Sequence, residues 1–389
     1  MQVTRFDVLI VGGGLAGLAL ACALRDTRLK IALVEQRPPH PAPGWDARVY
    51  AVSPANADFL QTIGIWKHLP AERMAPISAM KVVGDGGARL DFSAYAAGLP
   101  ELGWILESSL MACELWENVK RQSNVTLLCP ATPAKLEMGT ASALLTLTDG
   151  RTLAASLLVG ADGRDSWTRT ALGLRAHVTA YDEMGVVANF ECQSPHRGIA
   201  RQWFRRDGVL AWLPLAGNRI SIVWSTPDEN ARALLALPAE ELCSRVAAAG
   251  ECELGPFTLL TPATAFPLRL VRVPQIVAPR LALLGDAAHG IHPLSGHGIN
   301  LGYQDARTLA ELLAARPEWQ DIGSERLLKA YQRQRREETL LMQATTHALH
   351  HLFQQDFPGF RTLRNLGMNL TNALPVVKNM LVRYATGAF

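Results

Sequence analysis

Three glycines near the amino terminus have the spacing of a phosphate-binding turn. Gly12, Gly14 and Gly17 form the pattern GxGxxG, and Glu35 follows about 20 residues later. The first glycine permits a tight turn, the second lets a pyrophosphate approach the backbone, and the third lets a helix pack closely on a strand. A helix that begins there presents unpaired N–H groups to phosphates, and a carboxylate can accept hydrogen bonds from a ribose. The pattern therefore predicts dinucleotide binding.

The flanking residues supply the elements that this turn needs. Residues 6–11 (FDVLIV) form a continuous apolar run, which is typical of a central parallel strand that is buried on both faces. Residues 15–24 continue as a helix rich in Ala and Leu, and residues 30–34 form a second strand that ends at Glu35. This βαβ unit fits either FAD or NAD(P), so the choice depends on residues further along the chain.

Two later strands also end at a turn that contains an aspartate. The first runs into Gly160-Ala161-Asp162-Gly163, although Asp-Gly is also typical of ordinary turns. The second ends at Gly285-Asp286, after which Pro293 and the glycine-rich residues 295–300 open a long helix. Asp286 can accept a hydrogen bond from a ribityl or ribose hydroxyl group.

The glycine-rich helix start favours a flavin over a nicotinamide. Backbone N–H groups between Gly296 and Asn300 can stabilise a ligand atom that becomes negatively charged. Reduction of a flavin places negative charge on the N1–C2=O edge of its ring, whereas a nicotinamide needs no second helix terminus of this kind. We therefore predict FAD as the cofactor.

Together these motifs resemble the class A flavin-dependent aromatic hydroxylases, the para-hydroxybenzoate hydroxylase-like group. The finer resemblance is to the ubiquinone-biosynthesis hydroxylases, because residues 46–53 (DARVYAVS) and 104–107 (WILE) are similar to further stretches of that family. The resemblance extends from residue 6 to about residue 336. The chain has His297 where the family usually has Gln, and Ser108 where Asn is common, so flavin contacts at these two positions depart from the family pattern.

The motifs and the resemblance assign a set of cofactor-binding residues at strand ends and helix starts. They are Gly12, Gly14, Leu15, Ala16, Gly17, Glu35, Gln36, Arg37, Arg48, Asp162, Gly285, Asp286, Pro293, Gly296, Gly298, Ile299 and Asn300. The resemblance implies that Arg48 contacts the flavin or its phosphates and that Pro293 shapes the oxygen side of the ring. It identifies no proton-transfer residue; His289 and His292 are candidates by chemistry alone.

The predicted fold is α/β, with a Rossmann-like FAD-binding domain, a substrate domain with a mixed or antiparallel sheet, and a C-terminal helical segment. The FAD-binding domain takes residues 1–75, 104–180 and 271–340, the substrate domain 76–103 and 181–270, and the helical segment 341–389. Short strand-like runs separated by turns predict an antiparallel meander in the middle of the chain. Four aromatic residues fall on it, and some of them are expected to line an apolar cavity: Trp203, Phe204, Trp212 and Trp224.

The resemblance also implies a reaction. FAD reduced by transiently bound NAD(P)H would react with O2, and the resulting C4a-hydroperoxyflavin would hydroxylate the ring of a polyprenyl phenol or quinol in ubiquinone biosynthesis. A hydroxylase of another small aromatic and a non-catalytic flavoprotein subunit of a biosynthetic complex remain alternatives. A halogenase of the same fold is disfavoured because the sequence lacks a WxWxIP stretch.

Composition excludes several other classes of protein. Of the 389 residues, 49% are hydrophobic and 19% are charged, which is typical of a well-filled core. A net charge of +3 is too small to predict a nucleic-acid partner. The six cysteines form no CxxC pair and are interpreted as free thiols in a reducing compartment. Two histidine clusters lack the acids or cysteines of a metal site, so no metal is predicted. They are His289, His292 and His297, and His347, His350 and His351.

No uncharged apolar run is long enough to span a bilayer, which takes about 20 residues. We therefore expect a cytoplasmic protein, with possible peripheral membrane contact. The C-terminal residues after 340 combine apolar side chains with Arg361, Arg364, Lys378 and Arg383, a pattern that fits an anionic membrane or a partner in a biosynthetic complex. The alternative is that this segment packs as a terminal cap on the cofactor domain.

Overall fold

The computed structural model describes residues 3–290, 298–354 and 358–386. The strands in chain order are β1 (Val3–Val11), β2 (Ile31–Val34), β3 (Val49–Val52), β4 (Ala75–Ile77), β5 (Ala79–Val83), β6 (Arg89–Ser93), β7 (Gly103–Glu107), β8 (Val125–Leu128), β9 (Pro133–Met138), β10 (Ala143–Leu147), β11 (Thr152–Gly160), β12 (His177–Cys192), β13 (Ile199–Arg205), β14 (Gly208–Leu215), β15 (Arg219–Pro227), β16 (Phe257–Leu259), β17 (Thr264–Arg272), β18 (Val277–Ala278), β19 (Leu281–Leu283) and β20 (His289–Gly290). The helices are α1 (Leu15–Ala23), α2 (Pro54–Thr62), α3 (Ala94–Ala97), α4 (Ser108–Lys120), α5 (Trp167–Ala171), α6 (Asp228–Ala236), α7 (Ala239–Ala249), α8 (Gly298–Ala315), α9 (Glu325–Gln354), α10 (Pro358–Ala373) and α11 (Pro375–Thr386).

The first sheet has the order β18-β19-β11-β1-β2-β8, with β9 and β10 attached beside β11. Strands β19, β11, β1, β2 and β8 run parallel, as the apolar βαβ pattern predicts. The last residues of β1 are buried because α1 packs against α4 and α8 on this sheet. Val11 pairs with Gly160, and Gly160 pairs with Leu283, so the three motif turns begin side by side at one sheet edge.

The second sheet has the order β20-β17-β12-β15-β14-β13-β5-β6, with β16 paired to β12. Strands β12, β15, β14 and β13 form the predicted antiparallel meander. One face carries a separate core with α6 and α7, and this core contains Trp203, Trp212 and Trp224. The other face is turned towards the motif turns of the first sheet. The predicted α/β fold is confirmed.

The small sheet β3-β7-β4 lies between the two large ones. The division into domains remains a prediction, and four of its boundaries fall inside strands. The boundaries at 75/76 and 103/104 lie within β4 and β7, and those at 180/181 and 270/271 lie within β12 and β17.

The C-terminal helices divide between the two sheets. Helix α9 packs against α8 and β18, whereas α10 and α11 pack on β6. Asn372 Oδ1 accepts a 3.1 Å hydrogen bond from the backbone N–H of Asp91, and Asn365 Oδ1 accepts one of 3.3 Å from that of Ala88. The expectation of a cap on the cofactor domain is therefore wrong for α10 and α11, because they cover the edge of the second sheet. Within the part of the chain that the structure describes, no helix combines the length and the apolar composition that a bilayer-spanning segment requires.

Candidate active site

A cavity of about 1840 Å³ lies between the motif turns and the second sheet. Pockets for a single drug-sized ligand span about 300–1,000 Å³, so this cavity has room for two bound molecules. Most of the predicted cofactor-binding residues line it: Gly12, Gly14, Leu15, Ala16, Glu35, Gln36, Arg48, Asp162, Gly285, Asp286, Gly298, Ile299 and Asn300. Gly17 and Arg37 do not line it. Pro293 and Gly296 lie outside the described residues, as does His292.

The glycine turn forms a cradle that fits a pyrophosphate. Gly12 has a φ of +107°, and an added Cβ would overlap the backbone of Ala161. An added Cβ at Gly17 would overlap the carbonyl oxygen of Gly12, so this glycine permits close helix–strand packing instead of touching a ligand. At Gly14 no atom lies within 4 Å of an added Cβ. The open space above Gly14, at the start of α1, is where diphosphate oxygens can approach backbone N–H groups.

Glu35 fastens the end of β2 to the glycine turn. Its Oε2 accepts a 2.5 Å hydrogen bond from the N–H of Gly13, and its Oε1 accepts from the N–H groups of Gln36 and Arg37 at 2.8 and 3.1 Å. A carboxylate offers about four acceptor positions, so capacity for a ribose hydroxyl remains. Arg37 contributes to this arrangement through its backbone, and its side chain is exposed.

Asp162 caps the start of α5 as well as lining the cavity. Its Oδ1 accepts a 2.6 Å hydrogen bond from Ser166 Oγ, and its Oδ2 accepts one of 2.8 Å from the N–H of Thr168. Arg169 on the same helix donates to the carbonyl oxygen of Ala287 at 2.9 Å. This hydrogen bond joins the second motif to the third, which fixes the width of the cavity at this edge.

Asp286 is the acidic side chain of the third motif, and its surroundings suit a polyol. It lines the cavity and accepts no hydrogen bond from the residues that the structure describes. Arg48 lines the same cavity, with its guanidinium 5.5 Å from the centre of the Tyr50 ring. Burial, with a smaller contribution from the Asp286 charge, raises the pKa of Tyr50, so its phenol stays neutral.

Asp305 is a buried carboxylate that the sequence analysis missed. Its Oδ2 accepts hydrogen bonds from the N–H of Gly285 at 2.9 Å and from His289 Nε2 at 2.6 Å. Its Oδ1 accepts from Arg335 Nε at 2.7 Å. The sequence signals are an aspartate about two turns into the helix that follows the glycine-rich stretch, and a charged run in α9. Spacing alone cannot show that these residues meet.

This network changes the interpretation of His289. Its ring is buried against Asp305 and does not line the cavity, so its candidacy as a proton-transfer residue is wrong. Burial lowers the pKa of His289, but the charge and hydrogen bond of Asp305 outweigh it and the net shift is upward. Burial likewise raises the pKa of Asp305, and the cations of His289 and Arg335 bring it below its usual value. The cluster is an ion network that holds the third turn in place.

Asn300 was predicted for its backbone N–H, and its side chain fixes the start of α8. Asn300 Oδ1 accepts hydrogen bonds of 2.9 Å from the N–H of Ser53 and from Asn56 Nδ2, and its Nδ2 donates to the carbonyl oxygen of Ala51 at 2.8 Å. The first turn of α8 is therefore anchored to β3 and α2. These hydrogen bonds fix the orientation of the first turn of α8, whose N–H groups face the cavity.

The turn that carries Arg48 is held from three sides. Asp46 accepts hydrogen bonds of 2.9 Å from the N–H groups of Arg48 and Ser109, and its own N–H donates to Glu107 Oε2 at 2.6 Å. Asn189 Nδ2, on β12 of the second sheet, donates to the carbonyl oxygen of Asp46 at 2.8 Å. The second sheet is thus joined to the turn that carries Arg48, directly beside the cavity.

The second sheet forms the roof of the cavity and is almost entirely apolar. Of the four aromatic residues expected there, Phe204 lines the cavity. Phe204 thus meets the expectation that some of the four line the cavity, whereas Trp203, Trp212 and Trp224 face α6 and α7 on the opposite side. Since successive side chains of a strand alternate between faces, Trp203 must point away when Gln202 and Phe204 point in.

Comparison with known proteins gives consistent results at the levels of family, sequence and fold. The family model for the FAD binding domain matches residues 5–344. The ubiquinone hydroxylase UbiL of Rhodospirillum rubrum is 37% identical over 386 residues, which cover 98% of this chain and 89% of that protein. The 3-demethoxyubiquinol 3-hydroxylase of Escherichia coli is 32% identical over 385 residues, 98% of each chain. The crystal structure of Pseudomonas aeruginosa PqsL in complex with 2-aminobenzoylacetate is similar in fold, with a TM-score of 0.79, 24% identity, and coverage of 94% of this chain and 99% of that one.

Proposed function

The chain belongs to the FAD binding domain family of class A flavin monooxygenases, and on that premise we propose that it hydroxylates the ring of a polyprenyl phenol or quinol in ubiquinone biosynthesis. The predicted family, the predicted FAD cofactor and the predicted enzyme class are confirmed by these matches. The observation that carries the substrate proposal is the cavity itself. It is far larger than a small aromatic molecule needs beside FAD, and it continues from the motif turns to the C-terminal helices.

Bound FAD supplies the activation of O2 that a closed-shell aromatic ring cannot achieve by itself. Its diphosphate would lie over Gly14 at the start of α1, and its ribityl chain beside Asp286. The N–H groups of Gly298, Ile299 and Asn300 would hold negative charge on the flavin ring, because the positive end of the α8 dipole lies there. These assignments support the function and remain proposals for each residue.

The roof of the cavity has a separate task, which is to keep water from the reaction. Val187, Ala211, Leu213 and Val223 present apolar side chains to the cavity from three adjacent strands. Exclusion of water protects a reactive oxygen species from release as hydrogen peroxide. We assign no protein side chain to proton transfer.

The C-terminal helices offer a place for the polyprenyl tail. Apolar side chains of α9, α10 and α11 line the same cavity beyond the motif turns: Leu341, Met342, Leu352, Met368, Met380, Leu381 and Val382. Methionine adapts its shape to irregular apolar ligands. The tail would extend along these helices while the ring remains near the motif turns.

NAD(P)H is the proposed reductant, and it would bind transiently. The sequence holds one GxGxxG turn, and the proposal assigns that turn to FAD. A nicotinamide would therefore reach the flavin through the open cavity without a binding fold of its own.

We also propose that α10 and α11 rest on a membrane surface. Leu366 and Leu370, one turn apart on α10, are 62% and 59% exposed, and Leu374 and Met380 are exposed as well. These side chains lie on the helices that would hold the tail, so a substrate dissolved in the bilayer would enter beside them. Binding to a subunit of a biosynthetic complex is the alternative outcome of the test given below.

The function is tested by expressing the chain in bacterial strains that are each blocked at one ring-hydroxylation step of ubiquinone biosynthesis. We expect one strain to resume ubiquinone synthesis and to lose the accumulated intermediate, as measured by mass spectrometry of extracted quinones. Restoration of no strain, in cells that contain the FAD-loaded protein, would contradict the proposal.

A further inference from the structure

Gln202 places a polar side chain on the apolar roof of the cavity. It lies on β13 between Ala200 and Phe204, and all three residues line the cavity. The side chain is 7% exposed, and its carboxamide makes no hydrogen bond to any residue that the structure describes. Its carboxamide nitrogen and oxygen remain accessible from the cavity, so they are available to a molecule that is bound there. Its orientation into the cavity points to a bound ligand as the partner.

The neighbours of Gln202 cannot supply that partner. The sheet register places Val82 of β5 on one side and Ala211 of β14 on the other, with Val223 of β15 and Val187 of β12 beyond. All of these side chains are apolar. These paired residues form one row of side chains across the sheet, and Gln202 is its polar member. The apolar side chains around it form a surface that suits the carbon face of an aromatic ring.

The row that contains Gln202 lies close to the cofactor end of the cavity. The adjacent row contains Asn189, Ser221 and Leu213, and Asn189 donates its hydrogen bond to Asp46 in the turn that carries Arg48. Rows on one face of a sheet are about 7 Å apart, since each residue advances about 3.4 Å. A ring that reaches Gln202 would therefore lie close to the cofactor end, with its tail directed towards α10.

We propose that the Gln202 carboxamide hydrogen-bonds a ring oxygen of the substrate and so determines which ring carbon faces the cofactor. Its Oε1 accepts from a phenolic hydroxyl and its Nε2 donates to a quinone, phenol or methoxy oxygen. This inference rests on the proposed function, because it requires an aromatic substrate that carries oxygen. Gln202 thus acts as a positioning and specificity-determining residue.

The test compares the variant Gln202→Leu with wild-type protein and with Gln61→Leu, the same chemical change at an exposed position of α2. Each FAD-loaded protein is titrated with 2-decylphenol and with decylbenzene, which has the same tail without a ring oxygen. Flavin fluorescence reports binding, and thermal unfolding is followed in the same samples. KM and kcat are measured with a decyl-tailed demethoxyubiquinol.

We expect Gln202→Leu to bind 2-decylphenol about three- to tenfold more weakly, with unchanged affinity for decylbenzene. FAD retention and the melting temperature should stay the same, because the carboxamide faces the cavity and makes no hydrogen bond to the described residues. KM should rise more than kcat falls. Gln61→Leu should match the wild type in every measurement.

Three kinds of result overturn the proposal. Equal affinity of Gln202→Leu and wild type for 2-decylphenol contradicts the role of Gln202 alone. A lowered melting temperature or loss of FAD in that variant assigns Gln202 to packing or to the cofactor. Wild-type protein that fails to bind 2-decylphenol contradicts the proposed function itself, and the role of Gln202 with it.

Discussion

The backbone N–H of Gly285 donates a 2.9 Å hydrogen bond to Asp305 Oδ2, so a buried carboxylate on α8 holds the third motif turn. The same carboxylate pairs with His289 and Arg335. Breaking a buried ion network by removing one partner typically costs about 3–5 kcal/mol, because a buried charge is left unpaired. The turn that presents Asp286 to the cavity therefore depends on residues that never touch the cavity.

The His289–Asp305 pair predicts a pH dependence of stability. The folded state raises the pKa of His289, so the histidine stabilises the fold fully below its unfolded pKa of about 6.5 and progressively loses this contribution as pH rises through the raised value. Relative to His289→Phe, the wild type should lose free energy of unfolding as pH increases above about 6.5. Urea unfolding at a series of pH values measures this difference. A difference that is constant with pH would contradict the account.

Two glycine variants should separate packing from ligand binding. Gly17→Ala should lower the free energy of unfolding by about 1–3 kcal/mol, because the added methyl group overlaps the carbonyl oxygen of Gly12. Gly14→Ala has open space and should fold normally, yet bind FAD at least about tenfold more weakly because its methyl group occupies the diphosphate position. Equilibrium titration with FAD and thermal unfolding of the FAD-free protein check both. Wild-type FAD affinity in Gly14→Ala would exclude it from the site.

Two aspartate variants provide a second contrast. Asp286→Ala should leave the melting temperature of the FAD-free protein unchanged and reduce FAD affinity about tenfold or more, since a charged acceptor is lost. Asp162→Ala should destabilise the protein by about 1 kcal/mol even without FAD, because the start of α5 loses its acceptor. Full FAD occupancy in Asp286→Ala would remove this residue from the cofactor site.

The apolar surface of α10 is tested with vesicles of mixed phosphatidylglycerol and phosphatidylcholine. Leu370→Gln should reduce co-sedimentation about three- to tenfold, whereas Leu235→Gln, at an exposed position of α6, should not. Deleting the helices would be a poorer test, because Met368 and Thr371 of α10 also line the cavity. Equal sedimentation of Leu370→Gln and wild type would contradict membrane contact and leave a protein partner as the interpretation of this surface.

The sequence predicts the motif turns well because each depends on local rules. A strand, a glycine with positive φ and a helix start occur within a few residues at Gly12, and the parallel register then places Gly160 and Leu283 beside it. The antiparallel meander is equally local, since short strands and turns follow one another along the chain.

Features that depend on distant residues could not be predicted. Asp305 meets Arg335 only because α8 packs against α9, and no spacing rule encodes that contact. The sequence could not show which of the four aromatic residues line the cavity. Both faces of the second sheet are covered, so its strands lack the alternation of polar and apolar residues that would tell one face from the other. The sequence could not single out Gln202 either, because the apolar residues that surround it belong to other strands.

The central claim is FAD-dependent hydroxylation of a quinol ring, and isotope incorporation tests it most directly. The FAD-loaded protein is supplied with a reductant, a decyl-tailed demethoxyubiquinol and isotopically labelled O2, and the product is analysed by mass spectrometry. We predict a product that carries one labelled oxygen atom on the ring. Reoxidation of the flavin with hydrogen peroxide as the sole oxygen product, and no label in the quinol, would contradict the account.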